Sequence, residues 1–271
     1  MVMRLGISSY TYTWAVGVPG SLPANPLGIC GLIEKAILKG ITVVQIADNL
    51  PLEILSDEET DLLRDFADAK GISLEMGGRG LTPEHTMTCL KTAEAIGSPI
   101  LRMVIDTNNF EPEVPKIIAI IRELAPEFRS RKIKLAIENH DRLKAREFEK
   151  IVLETDPEIV GICLDSVNSM GAGEGFETVS EILAPYTTNL HVKDFTIKRL
   201  RHKMGFLTEG TPAGRGMLDI PGIVDKLKAF NRCQSAILEL WTPPEESIEA
   251  TMEKENRWAD ESLTYLKSII K

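Results

Sequence analysis

The sequence predicts an α/β protein of one domain, a (β/α)8 barrel of parallel strands over residues 1–271, and three observations carry that expectation. Short apolar or β-branched runs alternate strictly with longer amphipathic stretches from end to end. Eight of each can be read, and a parallel pair needs a helical crossover between its strands. Finally, 271 residues with 43% apolar content suit one such barrel, typically about 250 residues, better than two independent domains.

The elements follow in order. The strand 4–9 leads to the helix 29–39, which ends at Gly40, a residue suited to a helix C-cap. The strand 42–47 precedes the helix 58–70, opened by Asp57 and closed by Gly71. The strand 72–76 leads to the helix 84–97, where Thr82-Pro83 supplies a start and Gly97 a stop. Then come strands 100–104, 133–138 and 160–165, with helices 113–130, 145–154 and 176–184. After the strand 188–192, the stretch from Phe195 to Ile220 shows no helical period and is rich in Gly, Arg, Lys and Thr. A connection of that length in a compact domain reads as a long lid loop between the seventh strand and its helix. The helix 221–230, the strand 236–240 and the helix 247–268 complete the set. In the last helix, Trp258, Leu263, Leu266 and Ile269 form the face expected to pack on the barrel.

Charge and cysteine usage exclude several classes. A net charge of −9 argues against a general nucleic-acid binder, which presents a basic surface. Cys30, Cys89, Cys163 and Cys233 are far apart and form no CxxC pair, so a reducing cytoplasm is expected, with Cys163 a buried thiol. Residues 6–13 are polar and aromatic where a leader would be apolar, and no run of about 18 apolar residues predicts a membrane span.

The chemistry concentrates where four apolar runs stop, at Glu138, Asp165, His191 and Glu239. Strand C-terminal ends of a (β/α)8 barrel converge on one open mouth. The first three lie one βα repeat apart, and the last a repeat plus the long connection. Each alone has an ordinary explanation, a helix-capping carboxylate or a structural histidine. Three carboxylates crowded at one mouth repel unless a cation joins them, so the joint expectation is one divalent metal.

With these motifs the chain resembles the xylose-isomerase-like TIM barrel superfamily of sugar phosphate isomerases and epimerases, over nearly its whole length. The matching stretches are Ala136-Ile-Glu-Asn-His140, Cys163-Leu-Asp-Ser-Val-Asn168, Leu190-His-Val-Lys-Asp194 and Leu238-Glu-Leu-Trp241, with Pro212-Ala-Gly-Arg-Gly-Met-Leu-Asp219 similar to the family's Gly-rich loop. The resemblance implies that Glu138, Asp165, His191 and Glu239 hold one divalent ion, Mn2+ or Mg2+ ahead of Co2+ or Zn2+. It also implies a homo-oligomer, dimer or tetramer. The implied chemistry is that of a sugar isomerase or epimerase, acting on a keto sugar through an enediolate held by the metal, with Glu138 and Glu239 as base and acid.

His140 and Lys193 join them as candidate catalytic residues. Lys193 and Asp194 point to opposite sides of their strand, so one of the two faces the pocket. Tyr10 and Trp14 offer flat surfaces for a sugar skeleton, and Asn168, Arg102, Arg201 and Arg215 are the other candidate substrate contacts. Arg79 and Arg199 add to the positive charge expected at the mouth. Two positions depart from the epimerase pattern. Asn168 stands where those enzymes carry histidine, and Phe195-Thr-Ile-Lys-Arg199 displaces their arginine. The stretches Glu138-Asn-His-Asp-Arg142 and Glu239-Leu-Trp-Thr-Pro-Pro244 are similar to a branch containing 3-oxo-isoapionate decarboxylases. The alternative is therefore decarboxylation of a 3-oxo sugar acid. Endonuclease IV relatives use three zinc ions and many histidines, and this chain has four His, so DNA cleavage ranks below both, as does a non-catalytic sugar-binding module.

Overall fold

Parallel strands covered on both faces read as continuous apolar runs, and the barrel is built from such runs. The structure, a computed structural model, describes residues 3–270. Its barrel strands are β1 (Arg4–Ser8), β2 (Val43–Ile46), β3 (Ser73–Arg79), β4 (Ile100–Val104), β5 (Lys134–Glu138), β6 (Val160–Asp165) and β7 (Thr187–Val192), followed after a hairpin by β10 (Ser235–Leu238). Around the barrel the order is β1, β10, β7, β6, β5, β4, β3, β2, closed and parallel throughout. The chain is a (β/α)8 barrel, as its alternation predicts.

The outer ring comprises α2 (Ile29–Leu38), α3 (Asp57–Ala69), α4 (Pro83–Ala95), α5 (Val114–Arg131), α6 (Ala145–Leu153), α7 (Phe176–Leu183), α8 (Ile220–Phe230) and α9 (Ile248–Ile269). Local chemistry starts and stops them. Ser56 caps α3 in a reciprocal box with Glu59, and Thr82 accepts the His85 N–H ahead of Pro83. Gly40, Gly71 and Gly97 take positive φ just beyond α2, α3 and α4. Each helix turns an apolar stripe inward. On α5 it is Ile117, Ile121, Leu124 and Phe128, each buried side chain contributing about 1.5–3 kcal/mol. Leu263 and Leu266 of α9 are buried, with Trp258 and Ile269 packed beside them. Among the described residues no helix is long and apolar enough to cross a membrane.

Three local features differ from the sequence reading. A short helix, α1 (Thr13–Val16), follows the first loop. Strand β3 runs three residues further than expected, through Gly77-Gly78-Arg79. The absence of a side chain at Gly77 leaves room for the Arg102 stem, which a Cβ there would approach to 3.3 Å. The long connection is not a plain loop. It folds into an antiparallel hairpin of β8 (Asp194–Arg199) and β9 (Phe206–Thr211). Alternation in Phe195-Thr-Ile-Lys-Arg199 against Phe206-Leu-Thr-Glu209 suits a two-stranded ribbon, while Lys203 and Gly205 take the positive φ of its turn. The hairpin lies against Trp241, and Gly210 sits so close that a Cβ would collide with the Trp241 carbonyl.

Asp194 holds this excursion to the barrel. Its carboxylate accepts the N–H groups of Phe195, Gly214 and Gly216 at 2.9 Å and of Leu218 at 3.3 Å. Replacing a shared acceptor leaves several donors without a partner, each costing about 1–3 kcal/mol if it stays dry. Asp194→Ala is therefore expected to lower stability in urea unfolding by about 2–3 kcal/mol. It should also open residues 200–218 to limited proteolysis; unchanged cleavage and midpoint would remove Asp194 from this role.

Candidate active site

The four strand-end ligand types meet. Glu138 closes β5, Asp165 closes β6, His191 is the fifth residue of β7, and Glu239 follows β10. All four are buried. His191 Nδ1 lies 3.4 Å from Glu239 Oε1, 3.6 Å from Glu138 Oε2 and 3.8 Å from Asp165 Oδ2. Ligand atoms of Asp165, His191 and Glu239 all lie within 4.8 Å of one another, and Glu138 adjoins them through His191, so the set can close on one ion with small side-chain movements.

The imidazole orientation strengthens this reading. His191 Nε2 donates to Gln45 Oε1 at 2.6 Å. Gln45 is itself oriented, because its Nε2 donates to Glu75 Oε2 at 3.1 Å and to Asn189 Oδ1 at 3.2 Å. With Nε2 carrying the proton, the Nδ1 lone pair faces the three carboxylates, and Nδ1 has no hydrogen-bond partner among the described residues. A buried lone pair aimed at carboxylate oxygens is unfavourable by itself and favourable around a cation. The donor set, three oxygens and one nitrogen, fits a divalent metal.

Neighbouring groups fix each carboxylate. Asp165 Oδ1 accepts the N–H of Val167 and of Asn168, both at 2.8 Å, leaving Oδ2 toward the centre. Asn139 clamps the ends of β5 and β6, its Oδ1 accepting Asp165 N–H at 2.7 Å. Asn168 Nδ2 donates to Glu138 Oε1 at 2.7 Å, and the Arg102 guanidinium forms an ion pair with Glu138 Oε2. Lys193 Nζ lies 2.7 Å from Asp165 Oδ2 and 3.0 Å from Glu239 Oε2. Burial works against the Lys193 charge, but Asp165, Glu239 and Glu138 outweigh it and keep the ammonium protonated. Burial raises the Glu239 carboxyl, while the Lys193 and Arg102 cations beside it pull it below the usual carboxylate range.

A cavity of about 640 Å3 opens above this centre. Tyr10, Trp14, Arg102, Asn168, His140 and Lys193 line it, together with Glu138 and Glu239. Trp14 is held by an Nε1 bond to the Thr242 carbonyl at 2.8 Å and by Glu255, which accepts its backbone N–H. His140 Nδ1 is 3.2 Å from Asp141 Oδ2, facing both this cavity and an adjoining one. Thr208 and Glu209 of the hairpin form part of the wall. Lys193 faces the cavity while Asp194 turns away, as strand alternation predicts.

Two arginines are placed elsewhere. Arg201 is exposed in the hairpin turn, and Arg215 pairs with Glu261 on α9; neither lines the cavity. Arg201 lies on the turn of the hairpin, and Arg215 lies beyond the hairpin against α9. Arg199 stacks on Phe206 of the same hairpin.

Gln45 and Asp48 complete the centre and were not among the residues expected from sequence, while Arg79 joins them as part of the positive charge expected at the mouth. Asp48 accepts from Tyr10 Oη at 3.2 Å, Arg79 Nε at 2.9 Å and Arg102 Nη1 at 3.1 Å. Burial raises its carboxyl, but the two guanidinium groups outweigh that and hold it low. Arg79 lines the cavity, and among the described residues its guanidinium bonds Asp48 through Nε alone. The available signal was a polar Gln45 within Val43-Val44-Gln45-Ile46, since a polar residue inside a buried run must find a partner.

Comparison with known proteins follows the same lines. The family model described as xylose isomerase-like TIM barrel matches residues 40–269. A 3-oxo-isoapionate decarboxylase of Pectobacterium atrosepticum is 33% identical over 264 residues, 97% of this chain and 95% of the relative. Among solved structures, D-psicose 3-epimerase from Clostridium cellulolyticum superposes with a TM-score of 0.75 at 15% identity, covering 99% of this chain and 100% of that one. A xylose isomerase-like TIM barrel protein from Mycobacterium smegmatis, in complex with magnesium, reaches 0.69 at 14% identity over 97% of this chain and 98% of that one.

Gln45→Leu removes the acceptor that orients His191 and tests the metal reading directly. Loss of such a partner typically weakens metal affinity about 10–100-fold. Calorimetric titration with Mn2+ should show that loss, with Gln45→Glu, which keeps an acceptor, binding more tightly than the leucine variant.

Proposed function

The chain belongs to the xylose isomerase-like TIM barrel family, and from that membership we propose that it is a divalent-metal-dependent decarboxylase of a 3-oxo sugar acid. Both this reaction and sugar epimerisation pass through an enediolate. They differ in what departs, CO2 in one case and a C–H proton in the other.

The carrying observation is that cations occupy both candidate acid–base glutamates. Arg102 and Asn168 engage the two oxygens of Glu138, and Lys193 engages Glu239. A carboxylate whose oxygens are held by cations is a poor base toward a C–H bond. Decarboxylation needs no such base. The groups that could meet an anionic substrate are Arg79, Arg102 and Lys193, all of which line the cavity. The 33% identity to a 3-oxo-isoapionate decarboxylase supports the same class.

Glu138, Asp165, His191 and Glu239 would hold the ion, and magnesium in the Mycobacterium smegmatis relative supports a hard divalent cation. When bound, it supplies a Lewis acid beside the keto oxygen. Arg79 offers its free guanidinium edge to the substrate carboxylate, and Tyr10 and Trp14 flank the carbon skeleton. The bond between C1 and C2 breaks with its electron pair passing into the C2–C3 bond and onto the C3 oxygen, releasing CO2. Lys193, kept cationic by its carboxylate neighbours, donates to that oxygen as charge develops. His140, which lines this cavity and the adjoining one, returns a proton to C2.

Incubation with a 3-oxo sugar acid and Mn2+ or Mg2+ should release one CO2 per substrate consumed. Solvent-proton exchange into a keto sugar without CO2 release from any 3-oxo acid would instead establish the isomerase or epimerase reading. Lys193→Met should lower kcat by about 10²–10³-fold with a smaller change in KM; an unchanged kcat would remove Lys193 from the reaction.

A further inference from the structure

Apart from the mouth of the barrel, a second group of metal-type side chains meets on its flank. Glu53 lies in the short 3-10 turn Leu52–Ile54 after β2, while His85 and Cys89 stand one turn apart on α4. A spacing of four residues puts the latter two on one helix face. His85 Nε2 is 3.5 Å from Cys89 Sγ, and one ligand atom from each of the three residues lies within 4.8 Å of the others. None of the three lines the active-site cavity.

We propose that Glu53, His85 and Cys89 form a second cation site, selective for a borderline divalent ion of the zinc class, with its remaining position open to water. Zinc takes thiolate at about 2.3 Å and imidazole at about 2.0–2.1 Å, which at a tetrahedral angle separates sulfur and nitrogen by about 3.5 Å. The observed pair has that separation. A plain thiol–imidazole hydrogen bond accounts for the pair but not for the third member. Glu53 Oε2 is buried and has no hydrogen-bond partner among the described residues, and a buried carboxylate oxygen without a partner is costly. A cation at the common point satisfies it. The sulfur, nitrogen and oxygen set also separates this site from the main centre, whose three oxygens and one nitrogen suit harder ions.

A reactive cysteine is the wrong description of Cys89. The residue is fully buried, and burial together with the Glu53 and Asp48 charges pushes its thiol up to about 12. Metal binding would release that proton to solvent. Bound there, the ion ties the β2–α3 connection to α4, next to the strand that carries Gln45.

Elemental analysis of chelator-stripped protein reloaded with Zn2+ tests the site. The full chain should hold one more equivalent of zinc than Cys89→Ser or His85→Asn, the latter replacing a partly exposed side chain and so retaining the fold. In the Co2+-loaded protein a thiolate-to-cobalt charge-transfer band should appear, persist in Cys163→Ser, and vanish in Cys89→Ser. Equal metal content in the three proteins, or a cobalt band that survives Cys89→Ser, would overturn the proposal.

Discussion

Everything at the mouth of this barrel is organised around one electrostatic constraint, a cluster of buried carboxylates that cannot stand alone. Glu138, Asp165 and Glu239 arrive at the mouth from three strands and are withdrawn from water. Like charges at such separations in a low-dielectric setting repel strongly. The chain answers with Arg102, Lys193 and the His191 lone pair, which together prepare the place of a cation. Each answering group is fixed in turn: Arg102 by Asp48, His191 by Gln45, and Gln45 by Glu75 and Asn189.

The same arrangement has a chemical consequence. In an enediolate enzyme the glutamates either remove protons or serve as fixed charges, and their partners decide which. Here the arginine and lysine partners take up the carboxylate oxygens that a base would need free. The site commits its acid–base groups to holding charge, and the proposed decarboxylase reading rests on that feature. Asn168 belongs to this arrangement: it donates to Glu138 and receives from Lys193 at 3.3 Å, joining the two ends of the centre.

The hairpin β8–β9 shapes access to that chemistry while leaving the barrel undisturbed. Asp194, one residue beyond the cavity-facing Lys193, turns outward and gathers the N–H groups of the loop that follows the hairpin. Strand alternation thus places a site residue and a structural anchor side by side. The hairpin wall then brings Thr208 and Glu209 over the cavity, while its basic turn points away.

By itself, the sequence determined the repeat, because helix and strand periods are local and each crossover leaves its own punctuation, as Thr82-Pro83 and Gly97 do around α4. It also determined that Glu138, Asp165, His191 and Glu239 would converge, since strand ends in such a barrel share one mouth. It could not determine which cation meets which carboxylate. Arg102 sits 36 residues before Glu138, and Gln45 reaches His191 across 146 residues, from a strand that is not its neighbour. Contacts across the barrel depend on how inward side chains layer after closure, and chain spacing carries no record of that. For the same reason Arg201 and Arg215, which look suited to the mouth in a linear reading, end outside it. The hairpin's antiparallel register, set only when both strands pair, decides where their chain segment goes.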